Sequence, residues 1–197
     1  MKKHQLDYPR FYFHMYARLD ASLLLASEQQ RHAFILLPHR FLKSTSLPAY
    51  YAAAFSKRMA RLALSAPPAD SMVFLIMISH VLARHPKARV ALLGKPGQAS
   101  FAAGGVASAG DDPFVQTEDD PERCGAMRST LWEIASLQRH YYAPLAAIAV
   151  AFRTELPGTL ALQVRSFLIL VLLPSPPPPL LSLSLSRSLA SLPRALR

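Results

Sequence analysis

The feature of this sequence that most constrains its fold is the position of its prolines, which divide the first 156 residues into short stretches of helical periodicity. Between these prolines, apolar side chains recur at the three- and four-residue spacing of an α-helix, and almost no stretch alternates like a strand. Proline fits the first turn of a helix but interrupts its interior, and the residue before a proline avoids the helical conformation. The pattern therefore predicts an all-α protein built from short, directly connected helices.

The proline positions predict four helices before residue 93 and two after residue 122. Pro9 suits the first turn of a helix that runs through Leu19, and Pro38 bends a second helix that covers about residues 28–43. The remaining predicted helices begin at Pro48, Pro68, Gly125 and Leu145 and end near Ala66, His85, Tyr141 and Glu155. Successive helices with short connections and no heptad pattern are typical of an α-solenoid, in which each helical hairpin packs on the next.

Two segments fall outside this helical pattern. We expect the helical domain to cover residues 5–156 and to be interrupted at residues 93–122 by a mobile acidic loop, which could not hold its carboxylates in a fixed geometry. Residues 157–197 are rich in Leu, Ser and Pro and predict a disordered, low-complexity C-terminal tail. We interpret this tail as a non-native ending and expect residues 174–197 to be dispensable.

The charge of the chain favours an acidic partner. The chain has 22 Lys and Arg against 12 Asp and Glu, a net charge of +10, and residues 1–95 carry 14 of the basic and 4 of the acidic side chains. Such a charge suits nucleic acid without identifying it. The longest apolar run near the end, Phe167–Leu173, is far shorter than the roughly 20 residues of a membrane helix, so we expect no membrane partner.

The third predicted helix carries a cationic ridge, which we define as Lys57, Arg58 and Arg61. On a helical wheel these three residues share one arc, and most of the remaining circumference is apolar or small. The ridge could contact phosphate or an acidic protein surface, or it could simply be a solvated edge. As a contact surface, it should tolerate charge reversal without loss of helix content.

Further candidate binding residues lie at the ends of later helices. Arg84, Lys87 and Arg89 cluster where the fourth helix ends, although cations there also complement the helix dipole. Trp132, with Arg128 and Arg139 nearby, could anchor a partner or could pack under the acidic loop or a neighbouring helix. The predicted core stripe of that helix is Met127, Leu131, Ile134, Leu137 and Tyr141.

No motif of a known catalytic site is present. Gly94 and Lys95 are followed by Pro96, and Arg89 stands where a phosphate-binding loop requires its first glycine. The sequence contains neither His-Glu-x-x-His nor Gly-x-Ser-x-Gly, and its single cysteine excludes a Cys-rich zinc site. We therefore predict no catalytic residue, no metal, no cofactor and no small-molecule substrate.

A long run of residues resembles a known family. The segment Leu47–Pro68, which reads LPAYYAAAFSKRMARLALSAPP, is similar to the signature of the CCAAT-binding factor family of nucleolar proteins. Four further short motifs resemble one branch of that family and occur in the family's order: DYPRFY at 7–12, RHP at 84–86, LWE at 131–133 and QRHY at 138–141. The resemblance covers about residues 5–155.

The resemblance implies a function as well as a fold. It implies an armadillo- or HEAT-like helical-repeat domain that lacks catalysis and acts in the nucleolus of the cell nucleus. Its implied role is in the small-subunit processome and in maturation of small-subunit ribosomal RNA, through binding of nucleolar protein 14. Direct binding of pre-ribosomal RNA by the basic surface is the alternative. Because family members carry further helices on both sides of this domain, we expect the chain to be a fragment.

Overall fold

The computed structural model of the chain describes residues 9–42, 44, 47–94 and 112–152. Within these ranges the chain forms α-helices and one 3-10 turn and contains no strand, so the predicted all-α class is confirmed. The elements are α1 (Pro9–Ala17), α2 (Ser22–Leu25), α3 (Glu28–Phe41), α4 (Ala49–Ser65), α5 (Pro68–Arg84), α6 (Pro86–Leu93), a 3-10 turn (Ala126–Arg128), α7 (Trp132–Leu137) and α8 (Ala143–Ala151). The predicted tail, residues 157–197, lies outside the described residues.

The antiparallel pair α4 and α5 forms the centre of the domain. The 3-10 turn and α7 also pack on α4, α3 and α8 pack on α5, and α6 packs on both central helices. Alanines at 52–54, 60 and 63 are all buried, and their small side chains let neighbouring helices approach closely. Phe55 of α4 and Phe74 of α5 have no exposed surface. Burial of each such aromatic side chain stabilises the fold by about 1.5–3 kcal/mol.

Helix α5 is buried on nearly every side. All its residues from Asp70 to Ser79 are buried, as are Val81 and Leu82, which confirms its predicted place in the core. In the described part of the chain, no helix is both long enough and apolar enough to cross a bilayer.

The start of α5 at Pro68 is as the sequence predicts, whereas the proline at the start of α6 and the cap of α3 were not predicted. Pro68 and Pro86 occupy the first turns of α5 and α6, where the missing N–H group removes no helical hydrogen bond. Ser27 caps α3 in a reciprocal pair with Gln30, and Pro38 lies inside that helix. Helix α6 is short and begins directly after the break at His85, where the sequence predicted no further helix.

The prediction of one continuous helix over residues 125–141 is wrong. The chain instead forms the 3-10 turn, a non-helical stretch over residues 129–131 and then the short helix α7. The backbone N–H of Leu131 donates to the carbonyl of Leu92 on α6 (3.1 Å) instead of to its own helix. Ile134 and Leu137 are buried as predicted, but Met127 is 37% exposed and Tyr141 is 83% exposed, because they lie outside α7.

Gly125 directly precedes the 3-10 turn and has a backbone conformation that favours glycine. Its φ of 74° lies in the left-handed region, which side chains disfavour, and a Cβ atom there would collide with the carbonyl oxygen of Pro113. We expect Gly125→Ala to lower the free energy of unfolding by about 1–3 kcal/mol, since strain and a backbone clash combine. Urea denaturation followed by circular dichroism measures this loss. An unchanged urea midpoint would show that the turn relaxes freely.

Candidate functional site

The cationic ridge is buried, so its interpretation as an exposed contact or a solvated edge is wrong for two of its three residues. Lys57 has no exposed surface, Arg58 is 3% exposed, and Arg61 is partly buried. The physical reason is that α4 is covered on both sides, by α5 and by the elements that follow residue 112. Buried cations require compensating negative charge, and the structure supplies it from distant parts of the chain.

Lys57 lies between two carboxylates. Its Nζ atom is 2.8 Å from Oδ2 of Asp112 and 2.8 Å from Oε1 of Glu133, and it also donates to the carbonyl oxygen of Thr130. The side chains of Asp112 and Glu133 are 2% and 0% exposed. The three acceptors match the three donors of an ammonium group, so the buried charge is fully paired.

Arg61 completes a neutral group of four charges. Its Nη2 atom lies 2.7 Å from Oδ2 of Asp112 and its Nε atom 2.7 Å from Oε1 of Glu133, so it bridges the same two carboxylates as Lys57. We call Lys57, Arg61, Asp112 and Glu133 the ion cluster. Two cations and two carboxylates leave no net charge in the interior, which limits the cost of burying them.

Trp132 lies against the ion cluster. Its indole Nε1–H donates to Oδ2 of Asp112 (2.8 Å), and the guanidinium carbon of Arg61 lies 4.6 Å from the centre of the indole ring. A cation over an aromatic face is attracted to it. The structure therefore packs Trp132 against Asp112 of the acidic segment. This agrees with the interpretation that Trp132 packs under the acidic loop.

Arg58 ties two further segments to α4. Its guanidinium donates to the carbonyl oxygens of Tyr16 at the end of α1 (2.7 Å) and of Gln116 (2.8 Å), and it also pairs with Asp119. Within residues 112–124, a hydrogen bond from the N–H of Val115 to the carbonyl of Cys124 (2.9 Å) closes the loop between these two residues. The expectation that carboxylates of the acidic loop have no fixed geometry is thus wrong for Asp112 and Asp119, whereas residues 95–111 lie outside the described part.

The two buried carboxylates have pKa values that move in opposite directions. Burial by itself would raise the pKa of Asp112, but hydrogen bonds from Lys57, Ser129, Trp132 and the backbone of Phe114 hold that pKa well below its usual range. For Glu133, burial is the largest effect and raises its pKa, while the charges of Lys57 and Arg61 oppose the rise. Asp112 is therefore the member of the cluster whose ionised form the fold favours.

This depressed pKa predicts how stability depends on pH. Because the folded state holds the pKa of Asp112 below its unfolded value of about 3.9, its contribution is present above that pH and is lost as pH falls further. We expect Asp112→Asn to reduce stability at neutral pH, with a difference from the wild type that shrinks below about pH 4. Urea midpoints measured across this range test the prediction, with the exposed Glu122→Gln as control. A difference that stays constant with pH would contradict it.

The other predicted binding residues are mostly exposed. Arg84, Lys87, Arg128 and Arg139 are exposed, and Arg89 is half-buried. Arg84 lies in the last turn of α5, Lys87 and Arg89 lie on α6, Arg128 lies in the 3-10 turn, and Arg139 follows α7. Helix α6, which carries Lys87 and Arg89, packs against the 3-10 turn that carries Arg128.

Sequence reasoning missed Asp112 and Glu133 as the partners of the ridge. Glu133 is the one acidic residue among residues 123–152, and it lies in the first turn of α7, whose other buried positions are apolar. That isolation is the available signal, because a lone carboxylate in an apolar stretch needs a partner. No spacing rule connects it to Lys57, which is 76 residues away.

Comparison with known proteins gives the family. Residues 1–149 match the CBF/Mak21 family. The chain is 40% identical over 154 residues to a nucleolar complex protein 4 homolog of Danio rerio and 43% identical over 140 residues to that of Homo sapiens. It is also 42% identical over 149 residues to an uncharacterised protein of Schizosaccharomyces pombe.

The matches cover most of this chain but a small part of each relative. They span 78%, 71% and 76% of the chain and 27%, 25% and 28% of the Danio rerio, human and Schizosaccharomyces pombe proteins, so the chain spans about a quarter of the length of the curated relatives it matches. The resemblance read from the run Leu47–Pro68 and the four shorter phrases is confirmed, as is the branch they follow, that of nucleolar complex protein 4. By a match over residues 1–149 and identities of about 40% to relatives from fish, human and fission yeast, this chain belongs to the CBF/Mak21 family.

Proposed function

We propose that this chain is part of a non-catalytic helical scaffold that acts in ribosome biogenesis in the nucleolus. The observation that carries the proposal is its identity of about 40% to proteins named nucleolar complex protein 4 homolog. The geometry supports a scaffold, because the side chains of the ion cluster pair with one another and fix helices. Their role in the described residues is to join segments rather than to meet a substrate.

The proposed action is assembly of the small-subunit processome through a protein partner, the nucleolar protein 14 homologue. Helical-repeat domains bind partners along extended surfaces made of many helix faces. The same assembly would support maturation of small-subunit ribosomal RNA. Neither an active site nor a bound small molecule is required for this role.

A tagged pull-down from nucleolar extract tests the proposal. We expect the chain to retain nucleolar protein 14 after ribonuclease treatment, because a protein contact does not depend on intact RNA. Lys57→Met, which removes the buried cation, serves as a control for dependence on the folded domain. Failure of the wild-type chain to capture this partner would reject the proposed role.

Direct binding of pre-ribosomal RNA is the second candidate. It is favoured by the exposed cations Arg84, Lys87, Arg128 and Arg139, since neutralisation of phosphates drives much of RNA binding. In the same pull-down this alternative predicts that ribonuclease releases the captured proteins. Binding to RNA should also weaken steeply as the salt concentration rises.

A further inference from the structure

Aromatic side chains from three helices meet through a continuous series of ring contacts. Phe41 at the end of α3 lies 4.5 Å from Phe11 of α1, measured between ring centres, and Phe11 contacts Tyr12 edge-on at 5.6 Å. Tyr12 lies 5.3 Å from Tyr51 of α4, on which Tyr50 stacks at 4.6 Å. We call these five residues the aromatic platform.

The rings of the aromatic platform are only partly covered. Phe41 is 39% exposed, and the other four residues are half-buried. Phe11, Tyr12 and Tyr51 also pack against the buried core. This packing fixes the rings in place, so a ligand that stacks on them would lose little affinity to the ordering of side chains.

Two exposed cations lie beside the aromatic platform. Arg10 directly precedes Phe11, and Arg40 directly precedes Phe41, so the Cα atom of each cation is about 3.8 Å from that of a platform residue. Residues 8–19 and 29–69 contain no Asp or Glu. The segments that build the platform therefore carry positive charge only, and a negatively charged ligand complements them.

The aromatic platform lies at the starts of α1 and α4. Tyr16 meets Phe55 at 5.3 Å, four residues after Tyr12 meets Tyr51. Two contacts displaced equally along both helices show that α1 and α4 run in the same direction. Their first turns, which hold the platform residues, therefore lie side by side.

The acidic segment is anchored at a later part of α4 than the platform. Its ion pairs are made with Lys57, Arg58 and Arg61. Arg58 follows Tyr51 by seven residues, or about 10 Å along the helix axis, which is about the Debye length at 0.1 M salt. Beyond α1, Asp20 accepts hydrogen bonds from Ser22, and Asp7 lies outside the described residues. The carboxylates of the acidic segment are Asp112, Glu118, Asp119, Asp120 and Glu122.

The combination of rings and cations favours single-stranded RNA as the ligand. Bases of a single strand stack on aromatic rings, and the phosphates attract Lys and Arg. In duplex RNA the bases already stack on one another, so a duplex offers mainly phosphates and hydroxyls. A proline-rich peptide also binds aromatic side chains, but it brings no negative charge to Arg10 and Arg40.

We propose that the aromatic platform, with Arg10 and Arg40, binds single-stranded RNA by stacking bases on its exposed rings. The rings accept any base, because every base has a π-face, and the two arginines contact the phosphates. This site goes beyond the proposed function, which requires only a protein partner. It also differs from the cations named for the second candidate, because it lies on α1, α3 and α4.

The first test compares two ligands of the full wild-type chain by fluorescence anisotropy. One is a labelled oligouridylate of about ten nucleotides, and the other is an abasic strand of the same length, which keeps the phosphates but has no bases. We expect the oligouridylate to bind at least about tenfold more tightly. Equal binding would show that only phosphates are recognised and would overturn the proposal.

The second test removes rings from the platform. Phe41→Leu with Tyr50→Leu keeps apolar side chains at both positions but removes two stacking surfaces. This pair should weaken oligouridylate binding by at least about tenfold and leave binding of the abasic strand unchanged. The matched control, Tyr141→Leu with Tyr142→Leu, removes two exposed rings outside the platform and should change neither. An equal loss in the control pair would place the stacking elsewhere and overturn the proposal.

The third test removes the cations at exposed positions, where folding is least at risk. Arg10→Gln with Arg40→Gln should weaken binding of both strands by at least about threefold. Arg128→Gln with Arg139→Gln changes the net charge equally and should leave binding close to that of the wild type. If this control pair weakens binding as much, RNA binds at the cations of the second candidate and the platform site is wrong. Circular dichroism checks that every variant folds.

Two further measurements separate the platform from a protein contact. A labelled polyproline peptide that binds more tightly than the oligouridylate would make the platform a peptide site and overturn the proposal. In the pull-down after ribonuclease, the ring pair Phe41→Leu with Tyr50→Leu should still retain nucleolar protein 14, and its loss would likewise overturn the proposal. If the wild-type chain captures no such partner but binds oligouridylate through the platform, the proposed function fails and this site remains.

Discussion

Replacing Lys57 by methionine is expected to lower the free energy of unfolding by about 3–5 kcal/mol, because it leaves an uncompensated negative charge in the interior. Asp112 and Glu133 are both buried, and Arg61 alone cannot neutralise them. Since the whole stability of a domain is about 5–15 kcal/mol, much of the variant should unfold under mild conditions. Urea and thermal denaturation followed by circular dichroism measure the loss.

A second substitution shows whether charge balance is the cause. Lys57→Met combined with Glu133→Gln restores neutrality within the ion cluster, so it should recover part of the stability lost in the single variant. Arg40→Met, at an exposed position, should change stability by less than about 0.5 kcal/mol. If the double variant loses as much unfolding free energy as the two single variants together, or more, the balance of charge does not explain the role of Lys57.

The same burial changes what charge reversal would do. As an exposed contact, the ridge of Lys57, Arg58 and Arg61 would accept glutamates with its helix content intact. In the structure, Lys57→Glu would place a third carboxylate beside Asp112 and Glu133, so the variant is expected not to fold. Any loss of partner binding in such a variant would report unfolding rather than a lost contact.

Arg58→Met is expected to lower stability by about 3 kcal/mol and to loosen residues 112–124 in particular. Methionine keeps the apolar stem but removes the guanidinium that donates to both the buried carbonyl of Tyr16 and the part-buried carbonyl of Gln116, and a hydrogen bond from a charged group contributes about 1.5–3 kcal/mol. Limited proteolysis with an enzyme that cuts after glutamate reports on this segment, because Glu118 and Glu122 lie within it. Cleavage there should become faster than in the wild type.

Arg123→Met provides the matched control for this experiment. Arg123 belongs to the same segment, but its side chain is 80% exposed and it meets Asp120 only at 3.5 Å. Exposed ion pairs contribute little, so cleavage and stability should stay close to those of the wild type. Equal effects of the two variants would show that Arg58 does not anchor the segment.

The sequence predicted the elements whose signals are local. Pro68 begins α5 because a proline at the first helical position loses no hydrogen bond, and α5 is buried on nearly every side because it has apolar residues on every face. The helix predicted over residues 125–141 failed for an equally physical reason. Its apolar spacing continues through a 3-10 turn, and the bond from Leu131 to Leu92 depends on α6, which lies far away in sequence.

The ion cluster could not be predicted in the same way. A helical wheel shows which residues share a side of α4, but it does not show whether that side is covered. Lys57 and Arg58 were placed at the surface because charged side chains are rarely buried, and the exception depends on Asp112, Asp119 and Glu133 reaching them from elsewhere in the chain.

The wide separation of Lys57 and Glu133 also constrains the order in which the domain can fold. Helices α4 and α5 are neighbours in sequence and can pair through local contacts, which form quickly. The side of α4 that carries Lys57 is covered by a contact between distant residues. Closing the loop of 76 residues between Lys57 and Glu133 costs entropy before any ion pair forms. Until this loop closes, Lys57 stays hydrated, and the side of α4 that carries it stays exposed to water. We therefore expect the final dehydration of this helix to follow the pairing of α4 with α5, and we expect a chain cut before Glu133 to lack it.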